Sequence, residues 1–357
     1  MKDPISPNKK NRPNQKNGAR QKTGSSRQGR TTKENLSEPP GFPQQPASGE
    51  RPQILVTGAA GALAQQVIAR LRDQYQVVAV DFREQVYLGD DIPSYRIDIG
   101  KRGFEDIFRT HKIQGLIHMG RIMTSEENRM RRYNANVLGT QKLLDLCNKY
   151  QVSRVLILST FHVYGANAYN PALLDEAAPL KAAGVTMDLI DSVELENLAN
   201  IYLWKYPKLN IHILRPCNIV GPGVRNTMSN LLSSRLSPVL AGFSPMMQFI
   251  HIDDMADAIV LTYEKNKPGI YNVAPDDWVS YQEALEACGC IRVPLPSIPP
   301  VVPRLISRML DLDSFPAFLM DYFKYPVILD NRLFRRTFNF TPKKNLAEIF
   351  RYYKDQK

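Results

Sequence analysis

The chain holds 357 residues, 43% hydrophobic and 23% charged, with 46 Lys+Arg against 35 Asp+Glu for a net charge of +11. That length supports one large α/β domain or two ordinary ones, and it excludes a small scaffold stapled by disulfides or metals. Residues 1–50 carry ten Lys/Arg and four Asp/Glu, so +6 of the charge lies there, which argues against a protein that coats nucleic acid along its whole length.

Residues 1–52 read as a disordered basic tail, because almost no aliphatic residue is present to offset the entropy of ordering. Its basic residues are dispersed and lack interleaved aromatics, so a solubilising leader is favoured over a nucleic-acid-binding segment. Cys147, Cys217, Cys288 and Cys290 do not make a disulfide framework at this length, and a reducing cytoplasm is the simplest compartment. The Cys288-Gly-Cys290 pair has no second Cys pair or His cluster beside it, so it reads as structural and no metal is expected. No run approaches the roughly 18 apolar residues of a membrane-spanning helix, and the N-terminal Lys residues precede no apolar stretch of the kind in a secretory signal.

From Gln53 the pattern changes. A β-branched run, Gln53 to Thr57, enters a Gly-rich turn, a helix-spaced stretch follows from Leu63 to Leu71, and Gln76 to Val80 is a second buried strand. Further strands are expected at Gly115–His118, Arg154–Leu158, Ile211–Leu214 and Ile270–Val273, with helices over Asn136–Tyr150 and Val193–Tyr206 between them. Continuous apolar strands alternating with helices imply an α/β fold, a doubly wound parallel (Rossmann) sheet covered on both faces. The expected division is a dinucleotide-binding domain over 53–220 and a smaller lobe over 221–357, with 249–274 returning to the sheet. The apolar stretch from Pro294 to Ile328 fits a buried lid of that lobe better than a helix lying on a membrane surface.

The strongest local motif is Thr57-Gly-Ala-Ala-Gly-Ala-Leu-Ala64. Gly58 permits the tight turn out of the strand, Gly61 lets the backbone approach a pyrophosphate, and Ala64 stands where close helix–strand packing needs a small residue. Ala60, Ala62 and Leu63 complete the turn and bring backbone N–H groups to that anion. Asp81 follows at the spacing of an acid that binds adenosine ribose hydroxyls; it would repel a 2′-phosphate and so favours NAD, while Arg83 two residues on keeps NADP open.

With these residues the chain resembles the extended short-chain dehydrogenase/reductase family, the NAD-dependent epimerases and dehydratases acting mostly on nucleotide sugars. The resemblance runs from about Gln53 to Ala287 and is carried by ordered blocks. Tyr95-Arg-Ile-Asp98-Ile99 resembles the segment bordering the adenine, and Leu116-Ile-His-Met119-Gly120-Arg121 the fourth-strand motif beside the cofactor. Asn136-Val-Leu-Gly-Thr140 is similar to the helix that follows, and Leu158-Ser159-Thr160-Phe-His162-Val-Tyr164-Gly165 to the fifth-strand end, with Thr160 at the catalytic Ser/Thr position. Leu214-Arg-Pro216-Cys-Asn218-Ile-Val-Gly-Pro-Gly223 resembles the block beside the nicotinamide, and Phe249–Asp254 and Tyr271–Pro275 two later blocks. The resemblance implies a small-molecule substrate of nucleotide-sugar type, hydride transfer to a nicotinamide, and a homodimer formed through the helices after the fourth and fifth strands.

One block departs. In the family a Tyr, with a Lys four residues on, begins a helix about 20–30 residues beyond the Ser/Thr, and the Lys lowers the phenol pKa so that Tyr takes the substrate hydroxyl proton. Counted back from Arg215, those places fall near Met187 or Asp188 and near Asp191 or Ser192, and no Tyr lies between Tyr169 and Tyr202. Tyr263-x-x-x-Lys267 and Tyr353-x-x-x-Lys357 do not follow the fifth strand and read as coincidences. His162 is the leading replacement base, with Asp188 or Asp191 as carboxylate alternatives and Tyr164 a weaker one. Arg121 stands either beside an anionic group or as a surface charge, and Arg225 either clamps a substrate diphosphate or is a solvated loop residue. The expected activity is that of an NAD(P)-dependent epimerase/dehydratase-like oxidoreductase. The alternatives are a catalytically silent NAD(P)-binding sensor or assembly protein, and an oxidoreductase working at a lipid surface.

Overall fold

The computed structural model describes residues 51–122, 129–182, 189–297, 306, 308 and 319–357; the basic tail before Arg51, Met187, Asp188 and most of the apolar stretch before Leu319 lie outside them. The strands are β1 (Gln53–Thr57), β2 (Gln76–Asp81), β3 (Ser94–Arg96), β4 (Ile113–His118), β5 (Arg154–Leu158), β6 (Ile211–Pro216), β7 (Asn218–Val220), β8 (Leu236–Leu240), β9 (Met246–Met247), β10 (Phe249–His251), β11 (Gly269–Val273), β12 (Val279–Ser280) and β13 (Ile291–Leu295). The helices are α1 (Ala62–Leu71), α2 (Glu105–Thr110), α3 (Arg129–Tyr133), α4 (Gly139–Lys149), α5 (Ile190–Lys205), α6 (Thr227–Ser233), α7 (Ile252–Lys265), α8 (Tyr281–Ala287), α9 (Leu319–Tyr322), α10 (Arg332–Phe338) and α11 (Leu346–Lys354).

Seven strands form one parallel sheet in the order β11-β6-β5-β4-β1-β2-β3. The order reverses between β1 and β4, which opens a crevice at their carboxyl ends, the place where ligands bind in such sheets. Alternation along the strands supplies two cores. Ile54, Val56, Ala79 and Ile117 face α1 and α7, while Leu55, Val78, Val80 and Leu116 face Leu143 and Leu144 of α4 and Leu195 of α5. Burying each such aliphatic side chain stabilises the fold by roughly 1.5–3 kcal/mol before conformational entropy is charged.

Two details differ from the expectation. β3 is a three-residue edge strand, too short to leave a periodic signature, and it pairs with the end of β2. The helix expected from Asn136 opens instead with a π-helical turn, Asn134–Leu138, set between α3 and α4. Such turns recur at functional sites, and this one carries Asn136.

The remaining strands form three two-stranded pairs, β10 with β7, β12 with β9, and β13 with β8, while β11 takes its place in the seven-stranded sheet. Of the apolar stretch expected to form a lid, Ile306, Leu319, Met320, Tyr322 and Phe323 are buried in the core; Val301, Val302, Leu305, Met309, Leu310, Phe315 and Phe318 lie outside the described residues. Among the described residues no helix is long and apolar enough to cross a membrane.

Candidate functional site

The turn after β1 is shaped by close approach. Gly58 adopts φ +76°, and a Cβ there would lie 2.7 Å from the Gly120 backbone. No side chain caps α1 at Gly61 and no acid occupies its first turn. The helix therefore presents its positive end and first N–H groups, from Ala62 and Leu63 onward, without a competing anion. Asp81 ends β2 only 3% exposed, so it is not the solvent-facing acid that spacing alone would allow. Its Oδ2 accepts from Ala60 N at 3.1 Å, and its Oδ1 from Arg83 N at 2.9 Å and Arg83 Nε at 3.2 Å. A crevice lined by Thr57, Gly58, Asp81, Asp98, Ile99, Gly120 and Asn136 runs along these strand ends. An uncapped helix start after the glycine turn and a buried carboxylate at the end of β2 suit the pyrophosphate and adenosine ribose of a dinucleotide. Met119 packs against the hydrophobic core, so its side chain serves the fold.

Beside it opens a cleft of about 460 Å³. Its walls include Arg121, Ser159, Thr160 and His162 from the β4 and β5 ends, Ser192 from α5, Pro216 and Asn218 from the β6–β7 segment, and Arg225. The cleft and the crevice adjoin at Gly120-Arg121. A Cβ on Gly223 would lie 3.4 Å from Ala62 Cβ, so the loop carrying Arg225 also reaches the start of α1. Thr160 Oγ1 and His162 Nδ1 are 2.8 Å apart. Burial, reinforced by the charge of Arg121, pushes the His162 pKa down to about 3. The imidazole is therefore neutral at pH 7 and suited to hydrogen bonding; as a proton acceptor it is weak.

Behind the cleft lies a buried polar network. The Glu196 carboxylate accepts from the Ser159 hydroxyl and pairs with Arg215. Arg215 Nη1 donates to the Tyr164 hydroxyl at 2.7 Å, which in turn donates to Asn272 Oδ1 at 2.7 Å. The network thus ties β5, β6, β11 and α5 together, and Ser159 reaches the cleft wall already engaged on its inner side. Asp191 is 3% exposed and accepts from Asn136 Nδ2 at 2.6 Å, with Arg132 Nε 3.5 Å away. Asn136 also spans the backbone of Ile122, donating to its carbonyl and accepting from its N–H. His118 bridges Thr57 Oγ1, at 2.6 Å, and Thr140 Oγ1, at 3.0 Å, and is structural.

The candidate bases separate accordingly. Asp191 and Tyr164 are engaged in the interior and do not line the cleft, whereas His162 and Thr160 do. Met187 and Asp188 lie outside the described residues. Tyr263 and Tyr353, the phenols of the two stray Tyr-x-x-x-Lys strings, are each 2% exposed and packed in the core. Arg121 is not a surface charge: its Nη2 donates to the Ser192 hydroxyl, and its Nε is buried and has no hydrogen-bond partner among the described residues. Arg225 is exposed at the cleft wall.

Sequence reasoning missed Tyr322, which sits on the cleft wall with its ring edge-on to His162 at 4.7 Å and its hydroxyl donating to the His162 carbonyl at 2.5 Å. No signal nearer than 160 residues along the chain connects the two. Burial raises the Tyr322 pKa far above an ordinary phenol's. It therefore braces His162 and is a poor candidate for proton abstraction.

A reversed-order parallel sheet, a glycine turn feeding an uncapped helix and an acid closing the second strand define a dinucleotide-binding α/β protein of the Rossmann class. The NAD dependent epimerase/dehydratase family model matches residues 54–274, and the chain belongs to that family. An uncharacterised protein of Mycobacterium tuberculosis is 24% identical over 318 residues, covering 85% of each chain. A UDP-glucose 4-epimerase of Dictyostelium discoideum is 26% identical over 245 residues, covering 57% of this chain and 69% of its own. Among solved structures, the UDP-glucose 4-epimerase of Thermotoga maritima with UDP-glucose superposes with a TM-score of 0.68 at 20% identity, covering 85% of this chain and 98% of that one.

Proposed function

We propose that the chain binds NAD along the Gly58–Asp81 crevice and a nucleotide-sugar-like substrate in the adjoining cleft, and acts there as an epimerase- or dehydratase-type oxidoreductase. The observation that carries this reading is the adjacency at Gly120-Arg121, where a residue lining the crevice is followed directly by one lining a cleft of small-molecule size. A nicotinamide bound there would supply a hydride acceptor. The chain's own groups then have definable tasks. Asp81 binds the ribose, and the open end of α1 receives the pyrophosphate with Gly58, Ala60, Gly61, Ala62 and Leu63. Asp98 and Ile99 border the adenine, and Asn136 holds the strand-end loop. Ser159, Pro216 and Asn218 flank the reacting end. Thr160, bonded to His162, faces the substrate hydroxyl, and Arg225 meets the substrate phosphates.

The test is to incubate purified protein and NAD with a panel of nucleotide sugars. Absorbance at 340 nm and chromatography of the sugars are then followed, and an isomerised or dehydrated sugar supports the reading. A second reading, a catalytically silent NAD-binding sensor, is favoured by one observation: the phenol on the cleft wall, Tyr322, is bound to a carbonyl, and the neutral His162 is a weak base. Tight NAD binding with no sugar changed across the panel selects it.

Exposed Met130, Leu138, Ile201 and Trp204 on α3, the π-helical turn and α5 support a homodimer through these helices. Light scattering should give twice the chain mass, and Trp204→Lys should halve it. The four cysteines are free and buried, which supports a reducing compartment such as the cytoplasm.

A further inference from the structure

The Tyr353-x-x-x-Lys357 string supplies no base, yet both of its side chains reach the segment that walls the cleft. Val220 ends β7, and the chain then runs through Gly221, Pro222, Gly223, Val224, Arg225 and Asn226 into α6. Arg225 and Asn226, with Thr227 and Met228 of α6, line the cleft, and Gly223 approaches Ala62 of α1. The middle of this segment is exposed, whereas Gly221 and Ser229 at its two ends are buried. Gly221 and Gly223 adopt φ +126° and +73°. Glycine leaves such a turn with more freedom than any other residue, so the exposed part has little of its own to hold it.

One hydroxyl holds both ends. Tyr353, on α11 and 2% exposed, accepts from the Gly221 N–H at 2.8 Å and shares a hydrogen bond with the Ser229 hydroxyl at 2.9 Å. Gly221 also lies against the start of α7, where a Cβ on it would come 3.0 Å from His251 and from Ile252. Asn226 closes the first turn of α6, accepting from Ser229 N at 2.8 Å and donating to the Ile219 carbonyl at 2.8 Å. Lys357 donates to Cys290 Sγ at 2.7 Å, and that thiol sits 3.5 Å from the Leu232 carbonyl of α6. The end of the chain therefore grips α6 twice, and the grip through Tyr353 is also the anchor of the exposed loop. Leaving the buried Gly221 N–H without its acceptor costs more than an average hydrogen bond contributes.

We infer that Tyr353 is a positioning residue for the substrate phosphates: its hydroxyl fixes the Gly221–Ser229 segment so that Arg225 stands at the cleft wall before substrate arrives. This rests on the reading above, in which Arg225 meets those phosphates, and adds the residue that orders it. An exposed arginine on a glycine-rich loop gives up conformational freedom when it binds. A loop already held at both ends gives up less, and affinity rises accordingly. Tyr353 is not among the residues lining the cleft, so it acts through Arg225.

The experiment titrates UDP into the full chain with saturating NAD by calorimetry, for the wild type, Tyr353→Phe, Arg225→Ala and the two changes together. Tyr353→Phe keeps the ring in the core and removes the hydroxyl. It should weaken UDP binding about fivefold, the weight of one hydrogen bond, and leave NAD affinity unchanged. Arg225→Ala should weaken UDP about tenfold or more. Adding Tyr353→Phe to it should bring no further loss, because the two residues act in series. Ser229→Ala, which frees the other end of the segment, should reproduce the Tyr353→Phe pattern. Wild-type UDP affinity in a folded Tyr353→Phe overturns the inference. An equal loss of UDP and NAD, or the same loss of UDP once Arg225 is absent, overturns it too by making Tyr353 a general support of the fold. Where Tyr353→Phe fails to fold, Ser229→Ala decides by the same outcomes. Binding of no UDP by NAD-loaded wild type refutes the nucleotide-sugar reading itself, and the positioning inference falls with it.

Discussion

Arg215 and Glu196 give the sharpest test of how the cleft is held. Their side chains are 4% and 1% exposed, and they join β6 to α5 directly behind Ser159. Changing Arg215 to Met leaves the Glu196 carboxylate buried without its cation, a loss of about 3–5 kcal/mol. It also removes hydrogen bonds to the Tyr164 hydroxyl and the Glu176 carbonyl, about 1 kcal/mol each. The single variant should therefore lose about 5–7 kcal/mol in urea unfolding, a large part of a typical domain's whole stability. Adding Glu196→Gln removes the stranded charge, so the double variant should recover about 2 kcal/mol or more relative to the sum of the singles. A loss below about 1 kcal/mol for Arg215→Met, as for a surface pair, or strict additivity in the cycle, would refute the claim that this pair is a desolvated unit.

Gly58→Ala must adopt φ +76° and place a Cβ 2.7 Å from the Gly120 backbone. It should cost about 1–3 kcal/mol in thermal unfolding and weaken NAD binding measured by fluorescence titration. Asp81→Asn removes the charge that disfavours a 2′-phosphate beside Arg83, so the ratio of NAD to NADP affinity should fall by roughly tenfold; an unchanged ratio would count against Asp81 as the ribose acid. Burial lowers the pKa of His118 and His212 to about 4 and of His162 to about 3. The unfolded chain then binds more protons below about pH 6.5. Stability should be full above that pH and fall as the pH drops toward 4 and then 3, and His162→Asn should flatten the lower part of the melting curve against pH.

The sheet was legible because its central strands are continuous apolar runs with fixed punctuation: Gly58 and Gly61 after β1, Asp81 at the end of β2, and Pro216 and Gly221 around β7. β3 escaped because three residues on a sheet edge need no hydrophobic pattern. Within the site, residues supplied by strand ends and the turns after them could be placed from spacing, since a strand end has few ways to point. Residues whose meaning comes from a partner far along the chain could not. Arg121 was equally compatible with surface and cleft until Ser192, 71 residues on, was seen to receive it. Tyr322 carried no motif at all, and its place against His162 follows from a contact between residues 160 positions apart. The missing Tyr and Lys were visible by counting, but where the charge near Ser192 comes from was visible only in three dimensions.

The most direct measurement of the central claim is a crystal structure of the full chain with NAD and a nucleotide sugar such as UDP-glucose. The account predicts the adenosine ribose against Asp81, the pyrophosphate at the start of α1, and the sugar in the cleft between Arg121 and Thr160. A dinucleotide bound outside the Gly58–Asp81 crevice, or a sugar bound away from the cleft, would contradict it.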